Sequence, residues 1–378
     1  MSTLKVDAIR HNSATSDAIT TAADGTCTAK LTSIGGGGLS HRNIIINGAM
    51  TLAQRGSSST SDGIHTVDRF EKDESGTDES LTQEQVDVAS GTTPYTLGFR
   101  KAFKLTNGNQ TSGAGSADRA TAEYKIEAQD IANSGWNYLS TSSYITISYW
   151  VKSSVAQNFY NTFGTDDGTK QRYTTETGSL SADTWTKITK TIPGNSNLTF
   201  NNDNGEGLEI TWEIFRGTDQ TGSMSLNAWA ASNNNLRTPD QTSTWWTTND
   251  ATFEITGVQL EVGDTATTFE HLTFAEELTL CERYYQIIKP TIGEAQNTTN
   301  IQGVLRANPA MRATPSASIL NNSNNVNLAG SGPNSVTSIG TIYYNGTTGG
   351  WAEMGGTGFT QHRNYFILGD KFAFSSEL

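Results

Sequence analysis

The residues of this chain best suited to binding chemistry are aromatic side chains in polar surroundings. Trp229, Trp245 and Trp246 lie in a stretch rich in Asn and Thr. Trp136 and Tyr138 follow a glycine in a similar loop-like stretch. Aromatic rings stack on the apolar faces of sugars, and planar polar side chains bind the hydroxyl groups. These five residues are the candidate glycan-binding site. In a strand, however, one of the adjacent pair Trp245 and Trp246 would point into the core.

Carboxylates are plentiful, but no catalytic pattern joins them. A glycoside hydrolase needs two carboxyl groups about 5–10 Å apart across a sugar. Glu209 and Glu213 fall on one face of a predicted strand, where a solvated outer face explains both. The sequence contains neither a G-x-S-x-G motif nor a P-loop. We therefore predict no catalytic residues and a protein that is not an enzyme.

Metal-binding patterns are equally sparse. No two of the five histidines have the H-x-x-x-H spacing of a zinc site. Asp166, Asp167 and the run 201–206 offer oxygen ligands that suit a structural Ca²⁺, although Asn, Asp and Gly runs also form plain turns. We predict no cofactor and no metal ion, and leave the structural calcium open.

Composition narrows the class of protein. The 378 residues exceed one ordinary domain, are rich in Gly, Thr, Ser and Asn, and lack long helical periodicity. A net charge of −13 argues against nucleic acid or an anionic membrane as the main partner. No run approaches the roughly 20 apolar residues of a membrane span, and we expect no secretory signal. The two cysteines, Cys27 and Cys281, exclude a disulfide framework.

Short runs with alternating apolar and polar residues predict an all-β sandwich. In the run 252–262 the alternation changes phase at Gly257, which predicts a β-bulge. A continuous apolar run at Ile44–Ile46 predicts a buried first strand, and adjacent Asp68 and Arg69 should each meet a different partner at the sandwich rim. The other predicted strands cover 100–105, 122–126, 144–152, 184–193, 208–215 and 341–344.

The ends of the chain differ from this body. Residues 1–40 hold too few large apolar residues for a core, but predict a short strand, a hairpin around Asp24-Gly25 and a glycine linker at 35–38. Thr273 and Glu276 form a capping-box pattern, which predicts a helical linker over 273–286. A second β module then occupies 287–378 and ends in a strand that runs to the last residue.

Several stretches resemble one family of proteins. The runs Gly257–Gly263, Phe269–His271 and Glu276–Gln286 resemble a boundary found in many tail-fibre and tail-spike-like proteins of bacteriophages. Ile44–Gly48 with Asp68-Arg69, Val304–Pro315 and the final Glu-Leu pair resemble other parts of the same family. Residues 2–20 resemble the short N-termini of marine phage fibre proteins.

The resemblance implies a carbohydrate-binding-module-like jelly roll over 41–272, and a C-terminal β-sandwich tip after the short helix. It also implies a homotrimeric tail fibre, made in the host cytoplasm and carried on the virion. Residues 1–40 would anchor it to phage tail proteins, and the ligand would be host-surface polysaccharide or lipopolysaccharide. Two alternatives stay open: a virion decoration or tail connector without receptor binding, and a polysaccharide depolymerase. Neither the host, the glycan nor the contacting module follows from the sequence.

Overall fold

The computed structural model describes residues 6–10, 12, 15, 17–23, 27–29, 41–288, 292–321, 326–327, 333–367 and 371–378. Within them the chain is all-β, as predicted. The strands are β1 (Ala8–Ile9), β2 (Ile19–Thr21), β3 (Cys27–Ala29), β4 (Ser58–Ser59), β5 (Glu71–Ser75), β6 (Thr82–Asp87), β7 (Lys101–Thr106), β8 (Arg119–Glu127), β9 (Tyr144–Ser153), β10 (Asn158–Thr165), β11 (Gln171–Ser179), β12 (Thr186–Pro193), β13 (Glu206–Arg216), β14 (Trp229–Ala231), β15 (Thr252–Val262), β16 (Tyr285–Ile288), β17 (Ile292–Ala295), β18 (Asn300–Arg306), β19 (Ser316–Asn321), β20 (Val326–Asn327), β21 (Pro333–Tyr344), β22 (Gly349–Thr357), β23 (Asn364–Ile367) and β24 (Lys371–Ser375).

Helices are few and short. They are α1 (Thr93–Thr96), α2 (Ala128–Ala132), α3 (Thr244–Thr247) and α4 (Phe274–Glu282). Within the described residues, none has the length and apolar character needed to cross a membrane.

The body is a jelly-roll sandwich of two six-stranded sheets. One sheet has the order β14-β11-β10-β13-β8-β5, and the other has the order β12-β9-β15-β7-β6-β4. Inward-facing side chains of both sheets form one core around a group of aromatic rings. The Phe70 ring centroid lies 5.0 Å from that of Tyr124 and 6.1 Å from that of Trp212, which itself packs edge-on against Tyr149 at 5.8 Å. Such rings account for much of the apolar area that folding buries.

The predicted bulge at Gly257 is confirmed. The register of β15 against β9 shifts between Thr256 and Gln259, and Gly257 has a φ of 63°. A β-carbon on Gly257 would lie 2.6 Å from Cζ of Phe99. Glycine is needed here because the backbone is left-handed and the adjacent ring leaves no space for a side chain.

The expected first strand at Ile44–Ile46 is wrong, because this segment is a turn. Asn43 Oδ1 accepts hydrogen bonds from the backbone N–H groups of Ile45 (3.1 Å) and Leu260 (3.0 Å). Asn47 has a φ of 60°. Asn side chains bind nearby backbone groups and tolerate left-handed conformations, so they compete with strand formation. Of the apolar run, Ile45 enters the main core.

Helix α4 begins where the capping box predicted. The Thr273 side chain accepts a hydrogen bond from Glu276 N, and the Glu276 side chain accepts one from Thr273 N at 2.9 Å. The helix ends at Glu282, and β16 begins at Tyr285. The helix therefore covers only part of the linker predicted over 273–286.

The C-terminal strands form a closed barrel of order β17-β18-β22-β21-β20-β23, beside a three-stranded sheet of order β16-β24-β19. This module has its own core, which includes Leu305, Met354, Tyr365 and Phe372. The domain boundaries given above stay predictions. At the N-terminus β2 and β3 pair as the expected hairpin. The turn at Asp24-Gly25 and the glycine linker at 35–38 lie outside the described residues.

The body and the C-terminal module meet in a polar junction built around Arg69. Its guanidinium is 2% exposed, forms an ion pair with Glu377 and lies 3.6 Å from the ring centroid of Tyr284. Asp68 instead binds Gln54 (2.8 Å) and Arg55 (3.5 Å). The prediction that Asp68 and Arg69 meet different partners is confirmed, although both are buried in the junction and not at a strand rim.

A second ion pair joins the junction to the sandwich. Glu127, at the end of β8, accepts hydrogen bonds from Arg283 Nε (2.8 Å), Arg283 Nη2 (2.7 Å) and the Tyr284 hydroxyl (2.5 Å). The last strand, β24, ends at Ser375 and not at the final residue as expected. Glu377 nevertheless ties the chain end to the body through Arg55 at 2.8 Å and through Arg69.

Candidate binding face

Trp245 and Trp246 lie inside the sandwich. Both belong to α3, and both are 0% exposed. The Trp246 ring centroid lies 4.9 Å from that of Phe215, and its Nε1 donates a hydrogen bond to Gly113 O at 2.8 Å. Neither indole is accessible, so the prediction that these two residues stack on a glycan is wrong. The cause is the short helix, which turns both side chains inward.

Trp136 is also a core residue, at 3% exposure, with its Nε1 bonded to Ser143 O at 3.2 Å. Its predicted role in binding is wrong for the same reason. Tyr138 is half-buried, and its ring meets that of Phe200 edge-on at 5.0 Å. This residue keeps part of its surface open to solvent.

Trp229 is the other half-buried aromatic candidate. It lies on the edge strand β14, its Nε1 donates to Pro193 O at 2.7 Å, and its ring centroid is 5.3 Å from that of Tyr173. Two positions after Pro193, the backbone N–H of Asn195 donates a hydrogen bond to Tyr138 O at 2.8 Å. Trp229 and Tyr138 thus contact the same short connection at one edge of the sandwich, and both remain candidates for ligand contact.

The outer face of the sheet that contains β8 and β13 carries a group of carboxyl side chains. We call Glu71, Glu123, Glu206 and Glu209 the acidic face. Glu71 on β5 lies directly opposite Glu123 on β8, and Glu209 on β13 lies directly opposite Lys125. Lys125 Nζ binds Glu71 Oε2 at 3.0 Å. Directly opposed residues on one face of a sheet have β-carbons about 5 Å apart, so these side chains form one group.

Buried threonines continue this face across the sheet. Thr211, Thr162 and Thr174 follow Glu123 in one cross-strand row. The Thr174 hydroxyl donates to Arg237 O at 3.1 Å, so the segment after β13 covers this part of the face. The four glutamates of the acidic face are half-buried, so this is the part of the face that stays partly accessible.

Two carboxyl groups of the acidic face have raised pKa values. Burial, together with the charges of Glu209, Asp73 and Glu71, raises the pKa of Glu123 to about 8. Burial and the charge of Glu209 raise the pKa of Glu206 to about 7. A neutral carboxyl group both donates and accepts hydrogen bonds, whereas a carboxylate accepts only. The face therefore offers both kinds of group to a neutral, hydroxyl-rich ligand.

Sequence reasoning missed most of this face. It placed Glu209 and Glu213 on a solvated surface, but Glu213 is fully buried and forms an ion pair with Arg216. The alternation in β8 was the available signal, because it puts Glu123 and Lys125 on the face opposite buried Tyr124 and Ile126.

The runs that could have held calcium form turns. Asp167 Oδ2 accepts from Asn201 N at 2.8 Å, and Asp203 Oδ1 accepts from Gly205 N at 2.9 Å. In the part of the chain that the structure describes, no three His, Cys, Asp or Glu side chains come together as a metal site.

No family model and no curated protein matches the chain. Among solved structures, it is similar to the enzymatically active domain of tailspike protein 4 from bacteriophage CBA120, with 10% identity, a TM-score of 0.32 and coverage of 62% of this chain but 24% of that one. It is also similar to the N-terminal cellulose-binding domain of a Cellulomonas fimi β-1,4-glucanase, with 12% identity, a TM-score of 0.26 and coverage of 57% and 99%.

A third similar structure holds two modules of a Clostridium thermocellum xylanase in complex with xylohexaose, with 10% identity, a TM-score of 0.27 and coverage of 57% of this chain and 29% of that one. At these scores the likenesses do not assign a ligand or an activity to this chain.

Proposed function

We propose that this chain is a glycan-binding adhesin of the bacteriophage tail-fibre type, and that its jelly roll binds host-surface polysaccharide or lipopolysaccharide without cleaving it. The observation that carries the proposal is the acidic face, which presents neutral and charged carboxyl groups side by side on a half-buried sheet face. Sugars present hydroxyl groups that need both donors and acceptors. Trp229 and Tyr138 add apolar surface at another edge of the body.

The proposed assembly is a homotrimer attached to phage tail proteins through residues 1–40. Its support is the resemblance of the sequence to tail-fibre proteins, together with six large apolar side chains that stay exposed in the described part of the C-terminal module. Several weak sites on one particle would raise the effective affinity for a cell surface by avidity. A virion location follows from the same proposal.

Binding is tested on the full chain with arrays of bacterial lipopolysaccharides and capsular polysaccharides. Glu123→Ala with Glu209→Ala should weaken binding about tenfold or more, since two hydrogen-bonding groups are lost. Glu123→Gln should bind nearly as well as the wild type, because an amide also donates and accepts. Glu84→Gln is the matched control, since Glu84 pairs with Lys104 on the other sheet. Equal binding by wild type and double variant would remove this face from the proposal and favour a structural decoration or connector.

The assembly is tested by light scattering of the full chain and of a chain without residues 1–40. Each form should have about three times the mass of its own single chain, which is 40.7 kDa for the full chain. A single-chain mass in both forms would exclude the trimer.

One observation favours a second candidate, a polysaccharide depolymerase. Glu71 is held by Lys125, while Glu123 directly opposite has its pKa raised to about 8. A charged carboxylate facing a protonated carboxyl group is the pairing that glycosidases use. Release of reducing sugar from any polysaccharide that the chain binds, abolished by Glu123→Gln while binding persists, would establish this function instead.

A further inference from the structure

The outer surface of the C-terminal barrel carries one row of apolar side chains across five strands. Ile292 on β17 pairs with Phe366 on β23. Gly293 on β17 lies opposite Gly303 on β18. Because these strands are antiparallel, the next residues along them, Ile292 and Val304, also lie opposite each other. Val304 in turn pairs with Trp351 on β22, and Trp351 pairs with Tyr343 on β21. Phe366, Ile292, Val304 and Tyr343 are each about half exposed, which is unusual for large apolar side chains in one continuous row.

The Trp351 ring in this row is held flat. It stacks on the Tyr343 ring with the centroids 3.9 Å apart and the planes 14° from parallel. This pairing covers one face of the indole and fixes its orientation. Trp351 is half-buried and also lines a groove on the opposite side, towards Val304. A ring presented in this way loses little conformational freedom when a ligand stacks on it.

The groove has the size and lining of a small-ligand site. Its volume is about 710 Å³, within the usual range for such sites. We call it the barrel groove, and its lining includes Ile292, Glu294, Gln302, Val304, Arg306 and Trp351. The apolar members belong to the row described above. The polar members contribute a carboxylate, an amide and a guanidinium.

Most of the polar groups at the groove are available for a ligand. Among the described residues, the Arg306 side chain has no hydrogen-bonding or ion-pair partner, and the same holds for Asn364. Gln302 contacts Glu353 only at 3.4 Å, and Glu294 contacts His362 at 3.4 Å on an exposed surface. Such weakly held donors and acceptors can turn to a bound molecule without the loss of a buried hydrogen bond.

We propose that the barrel groove is a second glycan site, which binds a short neutral oligosaccharide with one sugar ring stacked on Trp351. The hydroxyl groups of the sugar would meet Gln302, Arg306 and Glu294, which lie beside the apolar row. This arrangement of one flat ring and several planar polar groups matches the chemistry of a sugar, which has an apolar ring face and a polar edge. The inference goes beyond the proposed function because it assigns binding to a different module by a different chemistry.

The test uses the full chain on an array of neutral gluco-, galacto-, manno- and xylo-oligosaccharides of two to six units. Trp351→Ala should reduce binding at least about tenfold, Trp351→Phe should retain most of it, and Arg306→Gln should weaken it severalfold. Phe274→Ala is the matched control, because Phe274 is an aromatic residue on α4 that is 64% exposed. Arg306→Gln also covers the case in which Trp351→Ala does not fold.

Each outcome decides the inference separately from the proposed function. Some oligosaccharides should no longer bind to Trp351→Ala but should still bind to the double variant Glu123→Ala and Glu209→Ala. This result would support a second site, even if the acidic face binds nothing. No bound oligosaccharide, or equal binding by wild type, Trp351→Ala and Arg306→Gln, would overturn it. A lower light-scattering mass of Trp351→Ala without any dependent glycan signal would also overturn it and identify the row as a contact between copies.

Discussion

The jelly-roll body and the C-terminal barrel use their apolar residues differently. Among the described residues, the main core of the body contains 37 buried apolar residues, and the core of the C-terminal module contains 12. Among the side chains that the structure describes, large apolar ones that stay exposed number three in residues 41–272 and six in residues 287–378. The body therefore hides its aromatic rings and keeps a polar surface, whereas the smaller barrel leaves rings and aliphatic side chains outside.

This difference separates two kinds of contact. On the body, a ligand would meet carboxyl and hydroxyl groups, and its recognition would depend on hydrogen bonds and protonation. On the barrel, a ligand or another copy of the chain would meet a flat aromatic stack beside polar side chains. A small module has too little interior for all its apolar residues, so those that remain outside are available for binding.

The largest expected effect is a difference in stability between two tryptophan variants, one in each region. Trp245→Ala should lower the free energy of unfolding by about 3–5 kcal/mol, because it opens a cavity in the body core. Trp351→Ala should cost about 1 kcal/mol or less, because that ring is partly in solvent. Denaturant unfolding of both variants measures the contrast. Similar losses in the two variants would mean that the Trp351 ring supports the barrel and is not a surface group.

The junction between the two regions should give the next largest effect. Glu377→Gln removes the charge that balances buried Arg69, and should cost about 2–3 kcal/mol of unfolding free energy. Asp87→Asn, which removes an exposed ion pair with Lys101, should cost about 0.5 kcal/mol or less. Thermal unfolding of both variants at one pH checks the difference. If Glu377→Gln behaves like Asp87→Asn, the end of the chain does not hold the modules together.

The acidic face should give a smaller, pH-dependent effect. The pKa of Glu123 is raised to about 8 in the folded protein, so the folded state binds more protons than the unfolded state between about pH 4.5 and 8. Stability contributed by this residue therefore falls as the pH rises through that range. Glu123→Gln stays neutral and should become more stable than the wild type by about 1 kcal/mol at pH 8, after allowance for partial exposure.

At pH 4.5 the wild type and Glu123→Gln should unfold at nearly the same denaturant concentration. The control is Glu84→Gln, whose partner Lys104 lies on the other sheet. A stability difference between wild type and Glu123→Gln that does not change from pH 4.5 to 8 would show that folding does not raise the pKa of Glu123.

Local features were predictable from the sequence. The capping box at Thr273 and Glu276 involves residues only three positions apart, and the bulge at Gly257 shows in the phase of one strand. The strands β9 and β15 likewise lie where the apolar patterns of neighbouring residues predicted strands. In each case the determining contacts are close in sequence, so composition and spacing are sufficient to predict the structure.

The binding residues were not predictable in the same way. Trp245 and Trp246 have polar neighbours in sequence, which suggested a surface loop. Both are nevertheless buried, and Trp246 contacts Phe215 and Gly113, which are distant in sequence. Glu71 and Glu123 are 52 positions apart and become neighbours only because β5 pairs with β8. The apolar run Ile44–Ile46 predicts a strand, but in the structure the side chains of Asn43 and Asn47 bind nearby backbone groups and the segment turns.

The sequence by itself determined the all-β class, the approximate positions of several sandwich strands, the start of the α4 helix and the glycine that the bulge requires, since these depend on local backbone preferences. Only the tertiary structure decided which tryptophans are core and which face outward. It also decided that four glutamates of the body form one face, and that five apolar residues of the barrel form one row. The reason is strand pairing, because register brings distant residues together and packing decides which face is covered.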